Sequence, residues 1–153
     1  YDPTDALKMP QLMAEANKEV YVKDKNEDFT TLMSGIMGQK KRIHIHVGDV
    51  LENEYEKIIA ENDNNNKQIQ ALAQVIDDSI LQSYKLWPTN FIAYDILYKT
   101  TRFEHLYNEK ERQLFERRLE MRIDADNETM KEGFLAMYAN PVVNKLKYTD
   151  DIS

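Results

Sequence analysis

The chain has 153 residues, a net charge of −7, 42% apolar and 31% charged residues, and no cysteine. That length fits one domain, or one small domain and a piece of another. The missing cysteines exclude disulfides, thiolate metal sites and a cysteine nucleophile, and the acidic balance argues against a broad nucleic-acid footprint. The longest apolar runs, such as "NFIAYDILYK", fall far short of the roughly 20 residues that cross a bilayer, and no signal-peptide pattern opens the sequence.

The first residues, "YDPTDALKMP", begin with turn chemistry and read as part of something longer. Thr4 or Asp5 can cap a helix carrying Leu7, Leu12 and Met13, with Pro10 marking a kink or a fresh first turn. "NEDFTTLMSGIM" predicts a second helix, with Asn26 as cap, Glu27 and Asp28 in the first turn and Gly38 ending it. In "RIHIHV", Ile43, Ile45 and Val47 alternate with Arg42, His44 and His46, the two-residue period of a half-buried strand. One strand cannot satisfy its own N–H and C=O groups, and "EVYVK" at 19–23 is the only weak local partner, so this strand calls for a sheet supplied from elsewhere.

From residue 53 the character of the sequence changes. "ENDNNNK" at 61–67 is a polar connector, after which Ile69, Leu72, Val75, Ile76, Ile80 and Tyr84 mark one face of a long helix. "LWPTN" breaks it, and Thr89 can cap a short helix whose Phe91, Ile92, Tyr94, Ile96, Leu97 and Tyr98 cover nearly the whole circumference, which predicts a central, buried helix. Asn108 and Glu111 form a capping-box pair ahead of a helix with Leu114, Phe115, Leu119 and Ile123 facing inward. A last helix is expected over about 127–139, stopped by Asn140 and Pro141 ahead of a tail, "VVNKLKYTDDIS". The fold class expected is mainly α: a helical bundle over 53–153, following a small α/β remnant over 1–52 made of helices and one strand.

Several patterns suggest chemistry. On a strand, His44 and His46 would share a face about 6.6 Å apart, a spacing that suits a two-histidine metal site, but no third ligand lies nearby. Solvent-facing or partner-facing strand histidines are the preferred reading. His44 and Asp49 also spell His-x-x-x-x-Asp, yet on a continuous strand they face opposite sides about 16 Å apart and cannot touch without a bend at Gly48. "GIMGQKK" lacks the Gly-Lys-Ser/Thr of a phosphate loop, and "DADNETMKEGFL" has Thr129 and Leu135 where a calcium loop needs glycine and glutamate. Ser34 lacks the glycine of a nucleophile elbow, and no Glu-x-x-His pair exists. Asn127 heads a glycosylation sequon but also sits where a helix cap is wanted. Lys40, Lys41 and Arg42 make a small basic cluster able to meet a phosphate head group or an anionic surface, against the alternative of a solvated loop. The aromatic set Tyr84, Trp87, Phe91, Tyr94, Tyr98, Phe103 and Tyr107 can line an acyl-chain groove, though at helical spacing it is more often core.

The order of "YDPTDALK", "YVKDKNEDFTTLMSGIMGQKKRIHIHVGDVL", "LWPTNFIAYDIL" and "YANPVVN" resembles the C-terminal half of glycerol-phosphate and lysophosphatidate acyltransferases of Bacteroides-like bacteria. The resemblance covers most of the chain. It implies that the family's catalytic His-x-x-x-x-Asp and Pro-Glu-Gly-Thr-Arg-like elements lie N-terminal to a "VPVSISYEYDP"-like segment, whose end is matched by Tyr1, Asp2 and Pro3. His44 and Asp49 are then a coincidental match on a late sheet strand, where Asp49 and Val50 depart from the family's glycine-turn exit. The implied parent transfers an acyl group from a thioester to a glycerol-phosphate lipid hydroxyl, with no metal or bound cofactor, in the cytoplasm, with peripheral contact at the inner membrane face. No catalytic residue of that family maps onto a position here, so the chain alone is expected to be inactive without an N-terminal catalytic part. The competing expectation is a non-enzymatic helical module that docks a partner protein or a membrane surface.

Overall fold

A computed structural model describes residues 9, 11, 13–15, 17–37, 42–123, 127–149 and 152. The protein is mainly helical, and the described residues divide into two compact units: residues up to 42 together with 86–143, and residues 43–85 with 144–152.

In the first unit, Met9, Gln11 and Met13–Glu15 are helical, and α1 spans Glu27–Met37. Glu27 fixes the start of α1 by reaching back over the preceding loop, where its Oε2 accepts from the Tyr21 hydroxyl at 2.8 Å and the Asp24 N–H at 3.3 Å. The expected stop at Gly38 and the expected Thr4 or Asp5 cap lie outside the described residues, as do Leu7, Pro10 and Leu12.

The core of this unit is built on α4, Pro88–Leu97, the helix expected to be most buried. Phe91, Ile92 and Ala93 are buried in it, whereas Tyr98, just past its end, is half exposed. Its start is set by Pro88 in the first turn and by Asn90, rather than by Thr89. The Asn90 carboxamide accepts from the Trp87 N–H at 2.8 Å and donates to the Tyr138 carbonyl at 2.9 Å, so one side chain caps α4 and ties it to the last helix. A short 3-10 turn, Glu104–Leu106, leads to α5, Glu109–Arg122, which opens with the expected capping box: Asn108 accepts from the Glu111 N–H and Glu111 from the Asn108 N–H. Phe115 and Leu119 face inward as read from the sequence, while Leu114 is 55% exposed.

α6 spans Glu128–Lys145, with the Asn127 side chain accepting from the Met130 N–H at 3.0 Å, the cap expected at that asparagine. It runs through Pro141 instead of stopping there. Proline removes one helical hydrogen bond, but the residues on both sides of it, Tyr138, Ala139 and Val142, are buried, and that burial offsets the lost bond. Phe115, Phe134 and Tyr138 form an aromatic triad, with ring centroids 5.2–6.0 Å apart, and Met9, Ile92, Ala93, Leu119, Leu135 and Ala139 complete the core around it.

In the second unit, α2, Glu52–Glu61, packs on α3, Asn65–Ser83. The Asn64 side chain starts α3 by accepting from the Lys67 N–H at 2.9 Å, and Ile58 is the buried residue of α2. The half-buried face of α3 carries Ala71, Leu72, Val75, Ser79 and Leu81; of the face expected from spacing, Ile69, Ile76 and Ile80 are 64%, 40% and 52% exposed. After α6, Lys145 donates to the carbonyls of Gln82 at 3.3 Å and Tyr84 at 2.7 Å, closing the C-terminal end of α3 with a cation.

The expected strand is not formed. Among the described residues there is no β-strand; residues 42–50 have no regular structure and are exposed throughout, as are 19 and 20. Ile43, Ile45 and Val47 are 70%, 80% and 87% exposed. A strand exists only through the ladder to its neighbours, and the described residues supply no neighbour.

Candidate functional site

Two buried or enclosed places could carry chemistry, one in each unit. In the first, Asp95 is the buried charged residue among the described residues, 4% exposed on α4. Its carboxylate accepts from the Phe103 N–H at 3.1 Å and from the Tyr107 hydroxyl at 3.0 Å, and its own carbonyl accepts from the Thr100 N–H at 2.9 Å. The loop between α4 and α5 is therefore held twice by one residue. Burial, together with the bond to the negative carboxylate, pushes the Tyr107 hydroxyl up to about 12. Lys99 turns the chain here in a left-handed conformation, φ 51°, which leaves room for the Thr100 bond.

This arrangement is a staple rather than a reactive centre. The carboxylate oxygen Oδ2 takes both bonds, Phe91 and Tyr94 each pack on the Phe103 ring at 5.2 Å, and among the described residues no second carboxylate is hydrogen-bonded to it. No buried side-chain polar atom among the described residues lacks a partner. The sequence reading placed Tyr94, Phe103 and Tyr107 in one aromatic set but missed Asp95. A lone aspartate inside an otherwise apolar helix, "FIAYDILY", was the available signal.

In the second unit a shallow pocket of about 480 Å³ is lined by Gln74, Asp77, Ile80, Leu81, Asn144, Lys147 and Tyr148. The Tyr148 hydroxyl is bonded to Asp78, which pushes its ionisation up.

The residues singled out from sequence do not assemble into a site. His44, His46 and Asp49 are exposed on the irregular segment 42–50, and no three metal-binding side chains cluster among the described residues. Arg42 lies with its guanidinium 5.5 Å from the centroid of the Trp87 ring, while Lys40 and Lys41 lie outside the described residues. Glu128, Thr129, Glu132 and Leu135 of the calcium-loop-like stretch are in α6, so its described part from residue 128 on is helix rather than an ion-wrapping loop. Among the described residues no helix is long and apolar enough to cross a membrane.

What the structure does present is exposed apolar surface. On α1, Phe29, Leu32, Met33, Ile36 and Met37 are 66%, 60%, 38%, 61% and 77% exposed, and no residue of the helix is buried. Their spacing puts them on a single face. The described residues define a mainly helical protein with an amphipathic helix whose apolar face is exposed and an exposed segment without regular structure. No family model, curated protein or solved structure matches the chain.

Proposed function

We propose that this chain is the C-terminal part of a phospholipid-biosynthetic acyltransferase and is catalytically incomplete by itself. The observation that carries the reading is α1: a helix with five large apolar side chains on one face and none buried is built to lie against further protein. The order of family-like stretches from "YDPTDALK" to "YANPVVN" names that further protein as the catalytic part of a glycerol-phosphate or lysophosphatidate acyltransferase. In the reaction, the acceptor hydroxyl oxygen bonds to the thioester carbonyl carbon, the C–S bond breaks, and the thiol leaves with the proton that a base removed from the hydroxyl. The base belongs to the catalytic part. Asp95, the buried carboxylate among the described residues, is committed to holding the loop through Phe103 and Tyr107, and His44 and Asp49 stand on exposed, irregular chain. The complete enzyme would work in the cytoplasm, peripherally at the inner membrane face, with no metal or bound cofactor.

The test is the coding sequence upstream of Tyr1, followed by assays with an acyl thioester and glycerol phosphate. An upstream His-x-x-x-x-Asp and Pro-Glu-Gly-like element, turnover by the longer product and none by this chain are expected. Turnover by the chain alone, or an upstream sequence without those elements, overturns the reading.

A second reading, a non-enzymatic module docking a partner protein, is favoured by α3. Ile69, Ala73, Ile76 and Ile80 follow a 4-3-4 spacing and are all exposed, the seam pattern of helix pairing. Ile76→Glu would abolish partner binding under this reading and leave acyl transfer by the longer product intact under the first.

A further inference from the structure

We propose that the α2–α3 hairpin is a self-association surface that receives a second copy of this chain. The two α3 helices lie antiparallel, with Ile69 of each copy against Ile80 of the other and Ala73 against Ile76. The inference rests on the second reading above, from which it takes the exposed face of α3, and is independent of the acyltransferase reading.

Both helices of the hairpin contribute to one apolar strip. On α2, Ile58 is buried and marks the side turned to α3, while Tyr55 and Ile59 stay 51% and 44% exposed. The three-residue connection at 62–64, where the Gln68 carboxamide donates to the Asn62 carbonyl at 2.9 Å, makes α2 and α3 antiparallel neighbours. At about 3.6 residues per turn, Tyr55 and Ile59 follow Ile58 by about 60–100° of rotation. Ile69, Ala73, Ile76 and Ile80 follow the half-buried Leu72 by about 40–100°. The same sense of rotation on two antiparallel neighbours leads to the same side of the pair, so the two helices share one exposed apolar face.

That face is complementary to itself. The 4-3-4 spacing of α3 reads the same from either end, so an antiparallel copy meets it in register and sets the small Ala73 opposite the large Ile76 twice over. Parallel pairing would put Ala73 on Ala73 and leave a gap. The antiparallel register also brings the exposed Gln70 of one copy beside the exposed Asp77 of the other on the rim, an amide donor beside a carboxylate acceptor on both sides of the two-fold. Five large side chains that are 40–64% exposed leave about 500 Å² per copy, so pairing covers about 1,000 Å² before the rim is counted, the lower bound for a specific interface. An anionic bilayer fits worse, because residues 52–83 carry seven Asp and Glu against two Lys.

Sedimentation equilibrium on this chain tests the proposal. A reversible dimer with a Kd on the order of 10–100 µM is expected, tightening with added salt as the acidic hairpins are screened from one another. Ile76→Glu, at a position 40% exposed, should keep the helical circular dichroism and weaken the dimer at least tenfold, while Ile36→Glu on α1 should leave the Kd unchanged. The chain has no cysteine, so single introduced thiols report the geometry. A short bismaleimide should join Ile69→Cys chains to Ile80→Cys chains in a mixture but neither variant to itself, since identical positions stand about 16 Å apart along an antiparallel pair. A monomer at every concentration overturns the second-copy assignment, and the second reading then stands or falls on its own test with a different partner. A dimer lost in Ile36→Glu and unmoved by Ile76→Glu places the contact on α1 and overturns both. Cross-linking of Ile69→Cys to itself overturns the antiparallel arrangement.

Discussion

Replacing Asp95 with alanine removes the one oxygen, Oδ2, that accepts both bonds of the loop staple. The bonds to the Phe103 N–H and the Tyr107 hydroxyl, 3.1 and 3.0 Å, each involve a charged acceptor. Such bonds contribute roughly 1.5–3 kcal/mol each, and a buried N–H left alone costs a further 1–3 kcal/mol. Tyr107 is only partly buried, so its freed hydroxyl regains water, and the change should cost at least about 4 kcal/mol in total. Tyr107→Phe loses one bond and leaves the other, for about 1.5 kcal/mol. With Asp95 already gone, the tyrosine change should cost almost nothing, so the double variant should match Asp95→Ala and show a coupling of about 1–2 kcal/mol. Urea unfolding followed in parallel by far-UV circular dichroism and by the fluorescence of Trp87, the one tryptophan of the chain and the residue that opens α4, measures all four proteins. Additive costs would refute the view that Asp95 and Tyr107 form one unit. A cost below about 1 kcal/mol for Asp95→Ala would refute the staple itself.

The raised ionisation of Tyr107 makes stability depend on alkaline pH. Its folded value of about 12 exceeds the unfolded 10.0, so its contribution is whole below pH 10 and is lost as pH rises toward 12; Tyr107→Phe should flatten the urea midpoint over that window. Phe134→Ala, which empties the centre of the aromatic triad, should cost about 3–5 kcal/mol in the same assay, and a cost near zero would show that the triad is not the core. Lys99→Gly should raise stability by up to about 1 kcal/mol, because glycine adopts the left-handed turn at residue 99 without strain; a loss would show that the lysine side chain holds something there. Zinc titrated into the chain and followed by calorimetry should give no heat of binding at His44 and His46, and a saturable signal abolished by His44→Ala would establish a site.

Local signals were the legible ones. Asn108 with Glu111, Asn127 and the polar run before α3 act within four residues, and each starts a helix where the spacing put it. The density of Phe91 and Ile92 marked α4 as central for the same reason: a helix apolar on most sides has nowhere else to go. What failed depended on distant partners. α2, "ENEYEKIIAE", offers few apolar residues and no cap, and its helix shows only through the packing of Ile58. Pro141 reads as a stop in isolation, and only the burial of Val142 beyond it carries the helix on. α3 has apolar residues on two sides, so periodicity alone could not choose the inner one. The alternation at 42–47 was read as a strand, but a strand is a property of a pair. The candidate site was less legible still, since Asp95 matters through Phe103 and Tyr107, eight and twelve residues away.

The bare segment at 43–50 also governs how this polypeptide behaves in a test tube. A β-prone, exposed stretch is a template for intermolecular assembly, and "IHIHV" at 43–47 has no proline to interrupt it. Charge guards it only at its ends, with Lys40, Lys41 and Arg42 before it and Asp49, Glu52 and Glu54 after it. Precipitation of the chain should therefore rise steeply with concentration and be relieved by Ile45→Lys, whereas substitutions in the α4–α6 core should act on solubility only by unfolding the protein.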